Sequence, residues 1–553
     1  MPYVVTQSCC SDASCVVACP VNCIHPTPGE PGFAEAEMLY VDPTSCVDCG
    51  ACATACPVDA IVPHTRLDAA QQPFIDINAS YYDTFPHPKR TPLALVPTQR
   101  RLRRSRRVRV AVVGAGPAGM YVADELLKHP EISVDVLDRL PTPYGLLRAG
   151  VAPDHQHTKQ AEKLFRAIES QPGFRYLLGV EVGSDVSLAE LTQRYHGVVY
   201  SVGAASDRIL DIPGEELCCS ATDFVGWYNG HPDRQDLAVD LSAERIVVVG
   251  IGNVALDVAR ILTADPDRLA GTDISRLPWA TLAGSAVREV VVLGRRGPEQ
   301  AAFTLPELVG LSSVTGVNVV VDTGGTRIAG DDTRSRILAE LAARVPEPGL
   351  RTIRLRFLTS PVRILGVDRV EGIEIVRNEL VADDAGVLRA KPTGEHETIP
   401  AGMVLRSVGY HGKPVADLPY EPTTGIVPNA RGRVRPGVYV AGWVKRGPTG
   451  FIGTNKSCAQ ETVERLLDDL DADLLGAPSI RDRDLERLLR DRGVRVVDLD
   501  GWRGIDREER SRGEAAGRVR TKIVDIGELL RVAEERSPVP ATLTARRRRE
   551  KRG

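Results

Sequence analysis

The chain has 553 residues, with 69 Lys and Arg against 73 Asp and Glu, a formal net charge of −4, and 43% hydrophobic and 26% charged residues. That length exceeds what one core supports and predicts several domains, while the composition is that of an ordinary globular protein. No apolar run approaches the ~20 residues that span a bilayer, and the N-terminus has no basic region followed by an apolar core, so the expectation is a cytoplasmic protein without a membrane span.

Nine of the twelve cysteines fall before residue 57. In a cytoplasmic protein such density reads as cluster or metal binding rather than disulfides. Cys46, Cys49, Cys52, Cys56 and Pro57 spell Cys-x-x-Cys-x-x-Cys-x-x-x-Cys-Pro, in which three thiolates hold one iron-sulfur cluster and the fourth ligates a neighbouring one. A zinc site would want two separated pairs. Upstream, Cys9, Asp12, Cys15, Cys19 and Pro20 keep the same spacing with Asp12 where a second cysteine is expected. The pairing rule assigns Cys19, Cys46, Cys49 and Cys52 to a 4Fe-4S cluster and Cys9, Cys15 and Cys56 to a second one. With three thiolates, that second cluster is either 3Fe-4S or a 4Fe-4S whose odd iron takes Asp12 or Cys10. Cys10 and Cys23 otherwise read as free thiols.

Residues 1–80 carry nine acids against the single Arg66, whereas 87–109 carry nine Lys or Arg and no acid. Prolines at 86, 88, 92 and 97 precede the arginine run. Residues 78–105 therefore read as an extended, mobile linker whose basic charge faces the acidic module rather than nucleic acid.

Val110–Val113 form a short buried strand, followed by a Gly-x-Gly-x-x-Gly turn at Gly114, Gly116 and Gly119, with Pro117 and Ala118 inside it, and then a helical run. This is a dinucleotide fingerprint in its proper context. The next strand ends in Asp138, whose carboxylate suits ribose hydroxyls and repels a 2′-phosphate, so the site wants FAD or NAD. Residues 140–159 read as a loop that can lie over a ligand, and Tyr195–Ala205 as the last strand of this half. A second fingerprint, RIVVVGIGNVALDVARIL from Arg245 to Leu262, has Gly250, Gly252 and then Ala255 in the third slot. Its second strand ends before Arg295 and Arg296, and guanidinium groups there accept a 2′-phosphate. Two sites of opposite selectivity point to NADPH beside FAD. Glu379–Pro400 reads as a polar hairpin, Met403–Tyr410 as a strand returning to the sheet, and Ala441–Leu467 as strand, glycine-rich turn and helix. The rest shows charge-rich helical stretches and a basic tail.

The N-terminal segment resembles two-cluster bacterial ferredoxins, above all the seven-iron kind, through Tyr3-Val4-Val5, the Cys-Pro-Val after Cys19 and MLYVDPTSCVDCGACATACPVDAI from Met38 to Ile61. Its first loop is shorter than theirs. From Val108 to about Leu470 the ordered set GAGPAG, LPTPYGLLRAGVAPDH, DFVGWYNGHPD, GIGNVALDVARIL, GRRGPEQAAFT and AGWVKRGPTGFIGTNK resembles the adrenodoxin-reductase family of ferredoxin-NADP reductases. The resemblance implies FAD on Asp138, Leu146, Trp443 and Gly450-Phe451-Ile452, and NADP on Gly252, Asn253, Val254, Arg295, Arg296, Glu307 and Gly450. Val182 is a further cofactor-binding candidate. The family also implies a histidine near the flavin, matched by His155, but its glutamate partner is replaced by Gly310 at the matching position.

The fold class expected is multidomain: a small α+β two-cluster ferredoxin (1–77), the linker (78–105), a Rossmann-like FAD domain (106–204), a Rossmann-like NADP domain (205–405), and the second part of the FAD domain with a C-terminal extension (406–553). The expected activity is NADPH:ferredoxin oxidoreduction, with electrons passing from NADPH to FAD, to the chain's own ferredoxin, and on to an external acceptor such as a cytochrome-type monooxygenase or free ferredoxin. Two alternatives stay open: an electron-feeding subunit of a larger assembly resembling glutamate synthase, and a cluster-based sensor regulating a flavin reductase.

Overall fold

A computed structural model describes residues 3–87, 100–103, 107–204, 206–480 and 484–536. The N-terminal module is two copies of one idea. Strand Tyr3–Val5 pairs antiparallel with Ile61–Pro63, and Ile24–His25 with Tyr40–Val41. Between them lie two five-residue helices, Ser14–Ala18 and Ala51–Ala55, each entered through a left-handed residue, Ala13 or Gly50, and each ending at a cysteine followed by proline. Proline cannot continue a helix, so each run of thiols turns back at the same point.

A third helix, Pro73–Thr84, closes the module. Its buried Asn78 accepts from the amides of Val5 (3.2 Å) and Val41 (2.9 Å) and donates to the Val5 carbonyl (2.9 Å). One amide thus joins both hairpins, and the expected linker start at residue 78 is corrected: the ordered module continues through this helix. Weak apolar periodicity hid it: only Phe74 and Ile77 are buried in the module's apolar core, and the contact that ties it to both strand pairs is the polar one of Asn78. Residues 88–99 and 104–106, the latter holding Arg104 and Arg106 of the arginine run, lie outside the described residues. The described Arg100 pairs with Asp468 (2.8 Å) and Asp471 (2.6 Å), and the Arg103 amide donates to Asp471 (3.1 Å). These arginines meet the acidic end of helix Thr454–Asp471 rather than the acidic module.

The first large sheet has six strands in the order 433–435, 438–440, 197–200, 108–113, 132–138, 174–178, parallel except for the first. The strand Gly197–Tyr200 is therefore internal, with Val438–Val440 added beside it after a long excursion. That excursion builds the second sheet, six parallel strands in the order 219–220, 403–406, 245–249, 289–293, 351–356, 317–322. The outward and returning passes pair with each other as Ser206–Asp207 against Tyr410–His411. The polar hairpin is an antiparallel three-stranded sheet, 359–365, 372–382 and 388–400, at the side of the second sheet. Parallel strands buried on both faces explain the unbroken valine runs.

The C-terminal extension is structural. Val497 bridges Leu178 on the open edge of the first sheet through two backbone hydrogen bonds (3.0 and 2.9 Å). Trp502, Ile505, Leu529 and Val532 complete the core that holds Tyr144, Phe165 and Tyr176. Covering an edge this way removes a template for unwanted pairing. Among the described residues, no helix is long and apolar enough to cross a membrane.

Candidate functional site

The first glycine turn joins strand Val108–Val113 to helix Pro117–Leu127. Gly114 has φ +105°, and a Cβ there would lie 2.6 Å from the Ser201 carbonyl oxygen; one on Gly119 would lie 1.9 Å from the Gly114 carbonyl oxygen. Gly116, by contrast, opens to space and meets nothing nearer than the Gly145 Cα at 4.0 Å. The helix has no side-chain cap and opens on Pro117, which has no N–H, so its first free amides, those of Ala118 and Gly119, are left for an anion such as a pyrophosphate. Asp138 ends the neighbouring strand and accepts from the amides of Ala115 (2.8 Å) and Leu140 (2.9 Å). Burial pushes its carboxyl above the ordinary aspartate value, only partly offset by those amides.

The loop after it folds over the turn: the Tyr144 amide donates to the Ala115 carbonyl (2.8 Å), and a Cβ on Gly145 would lie 3.0 Å from the Gly116 Cα. Leu146 begins the short helix that follows and is 40% exposed on that face. From the other side comes the 441–455 segment. A Cβ on Gly442 would strike the Ala118 Cβ at 2.5 Å, and Trp443 follows directly, its ring 5.0 Å from that of Tyr410 and tilted by 46°, with its Nε1 donating to the Thr449 carbonyl (3.1 Å). Gly450 has φ +80°, the Phe451 carbonyl accepts from the Thr454 hydroxyl (2.8 Å), and Ile452 packs on the first domain's core. The 454–471 helix packs along helix 117–127, so two uncapped helix N-termini converge beside Trp443. Val182 sits instead in a turn that bridges to Val186, packed with the cluster of Leu137, Tyr200 and Val440.

The second turn repeats the first. Gly250 has φ +113°, with the Ser407 carbonyl oxygen 2.1 Å from a would-be Cβ, while Gly252 faces open space. Asn253 ties the helix it begins to the next one, accepting from the Thr304 amide (2.8 Å) and donating to the Thr304 hydroxyl (3.2 Å); Val254 is half-buried beside it. Arg295 is exposed and Arg296 half-buried. Their carbonyls are fixed by the Asn378 side chain (2.8 Å) and the Leu358 amide (3.0 Å), and neither guanidinium has a carboxylate partner among the described residues. Two cations presented without partners suit an incoming phosphate.

At the junction of the two domains, His155 Nε2 lies 2.7 Å from Arg260 Nη2, which also reaches Asp257 (2.7 Å). The ligand atoms of His155, Asp257 and Glu307 lie within 4.8 Å of one another. The replacement of glutamate by Gly310 therefore does not leave His155 without a carboxyl neighbour. Glu307 Oε2 is buried without a hydrogen-bond partner. Burial, then repulsion from Asp257, pushes this carboxyl up, whereas Arg260 overcomes the burial of Asp154 and holds it at about 2. Asp257 and Arg260 were not singled out from sequence. Their only signal was a place on the second fingerprint's helix.

In the N-terminal module the thiols lie close to one another. Cys9, Cys15 and Cys56, with Cys10 and Asp12, act on one another electrostatically, as do Cys19, Cys46, Cys49 and Cys52, with Cys23. Burial pushes Cys9 up to about 11 and Cys52 up to about 12, and Cys10 and Cys15 rise further. Thiols so packed ionise only with a cation among them, and the donor set fits iron-sulfur clusters. Cys23 is no remote thiol: its sulfur lies 3.5 Å from that of Cys19, and this hydrogen bond holds Cys19 down at about 5. The Asp12 carboxylate is buried and accepts from the Ser14 hydroxyl.

The module is seated on the reductase domains rather than tethered at a distance. The Gly453 amide donates to the Cys10 carbonyl (2.7 Å), and Lys456 Nζ reaches the Asp12 carbonyl (3.4 Å). Glu37 accepts from the Leu305 amide (2.7 Å) and pairs with Arg334 (3.1 Å). Val309 joins the module's apolar core. A cleft of 720 Å³ remains where Gln7 and Gln71 face His155, Arg268 and Gly310.

Comparison with known proteins gives the same two parts. Residues 108–296 match the family model "Pyridine nucleotide-disulphide oxidoreductase", and 39–62 match "4Fe-4S binding domain". The chain is 49% identical to the "Probable ferredoxin/ferredoxin--NADP reductase" of Mycobacterium tuberculosis, over 96% of this chain and 95% of that protein. It is 46% identical to the "NADPH-ferredoxin reductase FprA" of the same species, over 76% and 98%. The solved structure "Mycobacterium tuberculosis FprA in complex with NADPH" superposes with a TM-score of 0.74 at 45% identity, covering 78% of this chain and all of that one. With its order of thiol runs and glycine turns matched nearly end to end, the chain belongs to the family of ferredoxin/ferredoxin-NADP reductases.

Proposed function

We propose that this protein is an NADPH:ferredoxin oxidoreductase that carries its own ferredoxin, with FAD in the first glycine-turn domain, NADPH in the second, and two iron-sulfur clusters in the N-terminal module. The observation that carries this reading is the direct seat of the Cys9–Cys15 loop on the Gly450–Gly453 turn, beside the convergence of the two uncapped helices.

FAD, when bound, supplies the step from a two-electron hydride donor to one-electron acceptors, which nicotinamide and clusters cannot make between themselves. The protein's own groups bind and orient. Gly116 admits the pyrophosphate, Asp138 receives ribose hydroxyls, and Trp443 with Gly450, Phe451 and Ile452 borders the ring. In the second domain Gly252, Asn253 and Val254 present amides, and Arg295 and Arg296 read the 2′-phosphate. His155 is held by Arg260 where the domains meet, with Glu307 beside it as a carboxyl able to keep a proton. Cys19, Cys46, Cys49 and Cys52 hold a 4Fe-4S cluster; Cys9, Cys15 and Cys56 hold a 3Fe-4S or 4Fe-4S cluster. A one-electron acceptor, a cytochrome-type monooxygenase or a free ferredoxin, takes the electrons onward in the cytoplasm.

The test is the purified full chain under anaerobic conditions. It should contain FAD and two clusters by extraction and iron analysis, and should pass electrons from NADPH both to an artificial dye and to a cytochrome. Dye reduction without any cytochrome reduction would instead favour the sensor reading, and no dye reduction by the chain alone would favour the subunit reading.

A further inference from the structure

The proposed function leaves open which cluster meets the flavin, and the structure distinguishes the two. Electron tunnelling falls exponentially with distance, so the closer thiol group receives and the more exposed one delivers. The first group is pressed onto the reductase backbone to backbone. Besides the 2.7 Å hydrogen bond between Gly453 and Cys10, a Cβ on Gly453 would lie 2.2 Å from the Asp12 nitrogen and the Ser11 carbonyl carbon, so any side chain there would lift the loop. Cys9, Cys10 and Cys56 share the first domain's apolar core with Ile452 and with Tyr121, one residue after Met120 on the glycine-turn helix. Tyr121 is buried with its hydroxyl unpartnered and lies within the electrostatic reach of Cys10 and Asp12.

The second group faces the other way. Cys49 is exposed, as is its neighbour Val47 at 58%, and Val17 on the facing helix is 48% exposed. Among the described residues, the module's hydrogen bonds to the reductase are made by Cys10, Asp12 and Glu37 and none by 46–52. The packed helices 14–18 and 51–55 join the groups, and Cys15 of the first senses Cys52 of the second.

We infer that the clusters act in series and in a fixed order: the Cys9, Cys15 and Cys56 cluster takes electrons from the flavin, and the Cys19, Cys46, Cys49 and Cys52 cluster delivers them outward. This rests on the proposed function above. One NADPH yields NADP⁺, one proton and two electrons, which leave singly through the first cluster and then the second to two one-electron acceptors.

The test uses the full chain with Cys15→Ser and Cys49→Ser, reading each cluster by low-temperature electron paramagnetic resonance after rapid freezing. In Cys49→Ser, NADPH should still reduce the first cluster at the wild-type rate while cytochrome reduction falls at least tenfold. In Cys15→Ser, the second cluster, shown intact by dithionite reduction, should be reduced by NADPH at least tenfold more slowly. Wild-type reduction of the second cluster in Cys15→Ser overturns the order. If Cys15→Ser loses both clusters, the wild-type protein decides: a water-soluble iron chelator should strip the second cluster first, and loss of the first cluster first overturns the order. Failure of wild-type protein to reduce dye or either cluster with NADPH would instead reject the proposed function itself.

Discussion

Gly310 faces Gln7 across the boundary between the reductase and its ferredoxin module, so closely that a Cβ on Gly310 would lie 2.2 Å from Gln7 Nε2. The absence of a side chain on helix Leu305–Ser312 is what lets the module approach. Glycine costs a helix roughly 0.5–1 kcal/mol relative to alanine, so contact with the module compensates a local weakness. Gly310→Glu should slow cytochrome reduction several-fold while leaving dye reduction unchanged, and Gln7→Gly in the same chain should restore most of the loss. Stopped-flow comparison of the two acceptors checks this; an unchanged cytochrome rate in the single variant would show that the contact does not govern docking.

Arg295→Ala with Arg296→Ala should weaken NADPH use and leave NADH use nearly intact. Charge-assisted hydrogen bonds are worth about 1.5–3 kcal/mol each, so the preference for NADPH should fall at least tenfold in kcat/KM. Equal losses for both coenzymes would show that the pair does not read the 2′-phosphate.

Asp12→Cys should convert the first cluster to a four-thiolate 4Fe-4S centre, because a soft ligand then stands at the missing corner. Native protein isolated in air should show a 3Fe or mixed signal that the variant lacks, and the variant should carry up to about one more iron per chain. Identical spectra and iron contents would make Asp12 irrelevant to the cluster, leaving it the partner of Ser14 and the backbone under Gly453.

Stability should depend on buried ion pairs that join the three parts of the reductase. Asp273 pairs with Lys159 and Lys522, both at 2.7 Å, and these lysines overcome its burial to hold it well below the ordinary value. Asp273→Ala strands two buried cations and should cost roughly 3–5 kcal/mol, read as a fall in Tm with loss of flavin. Burial opposes ionisation of Asp506, but Arg520, Arg166 and Arg510 hold it at about 2. Its stabilising contribution is therefore complete above the unfolded value near 4 and is lost as pH falls towards 2. Asp506→Asn should lower Tm at neutral pH and flatten the acid limb of the Tm profile between those values. A parallel downward shift at every pH would place the acid sensitivity elsewhere.

How much was legible in the sequence follows from how local each feature is. The glycine turns, the thiol spacing, Asp138 and the Arg295-Arg296 pair each lie within a few residues of the backbone geometry they serve, and so they read directly. The interruption of the first sheet by the second could be inferred only from matching motifs, since strand 438–440 finds 197–200 across more than two hundred residues. Tertiary packing alone decided the rest. Asn78 made a helix where prolines and fading periodicity predicted a linker. Arg100 found Asp468 and Asp471 rather than the acidic module. Glu307 and Asp257 came to His155 from separate helices, and an extension without motifs supplied Trp502 and Val497 to the core. Polar contacts between distant segments leave no period in a sequence, because what fixes them is the meeting of surfaces that only the folded chain brings together.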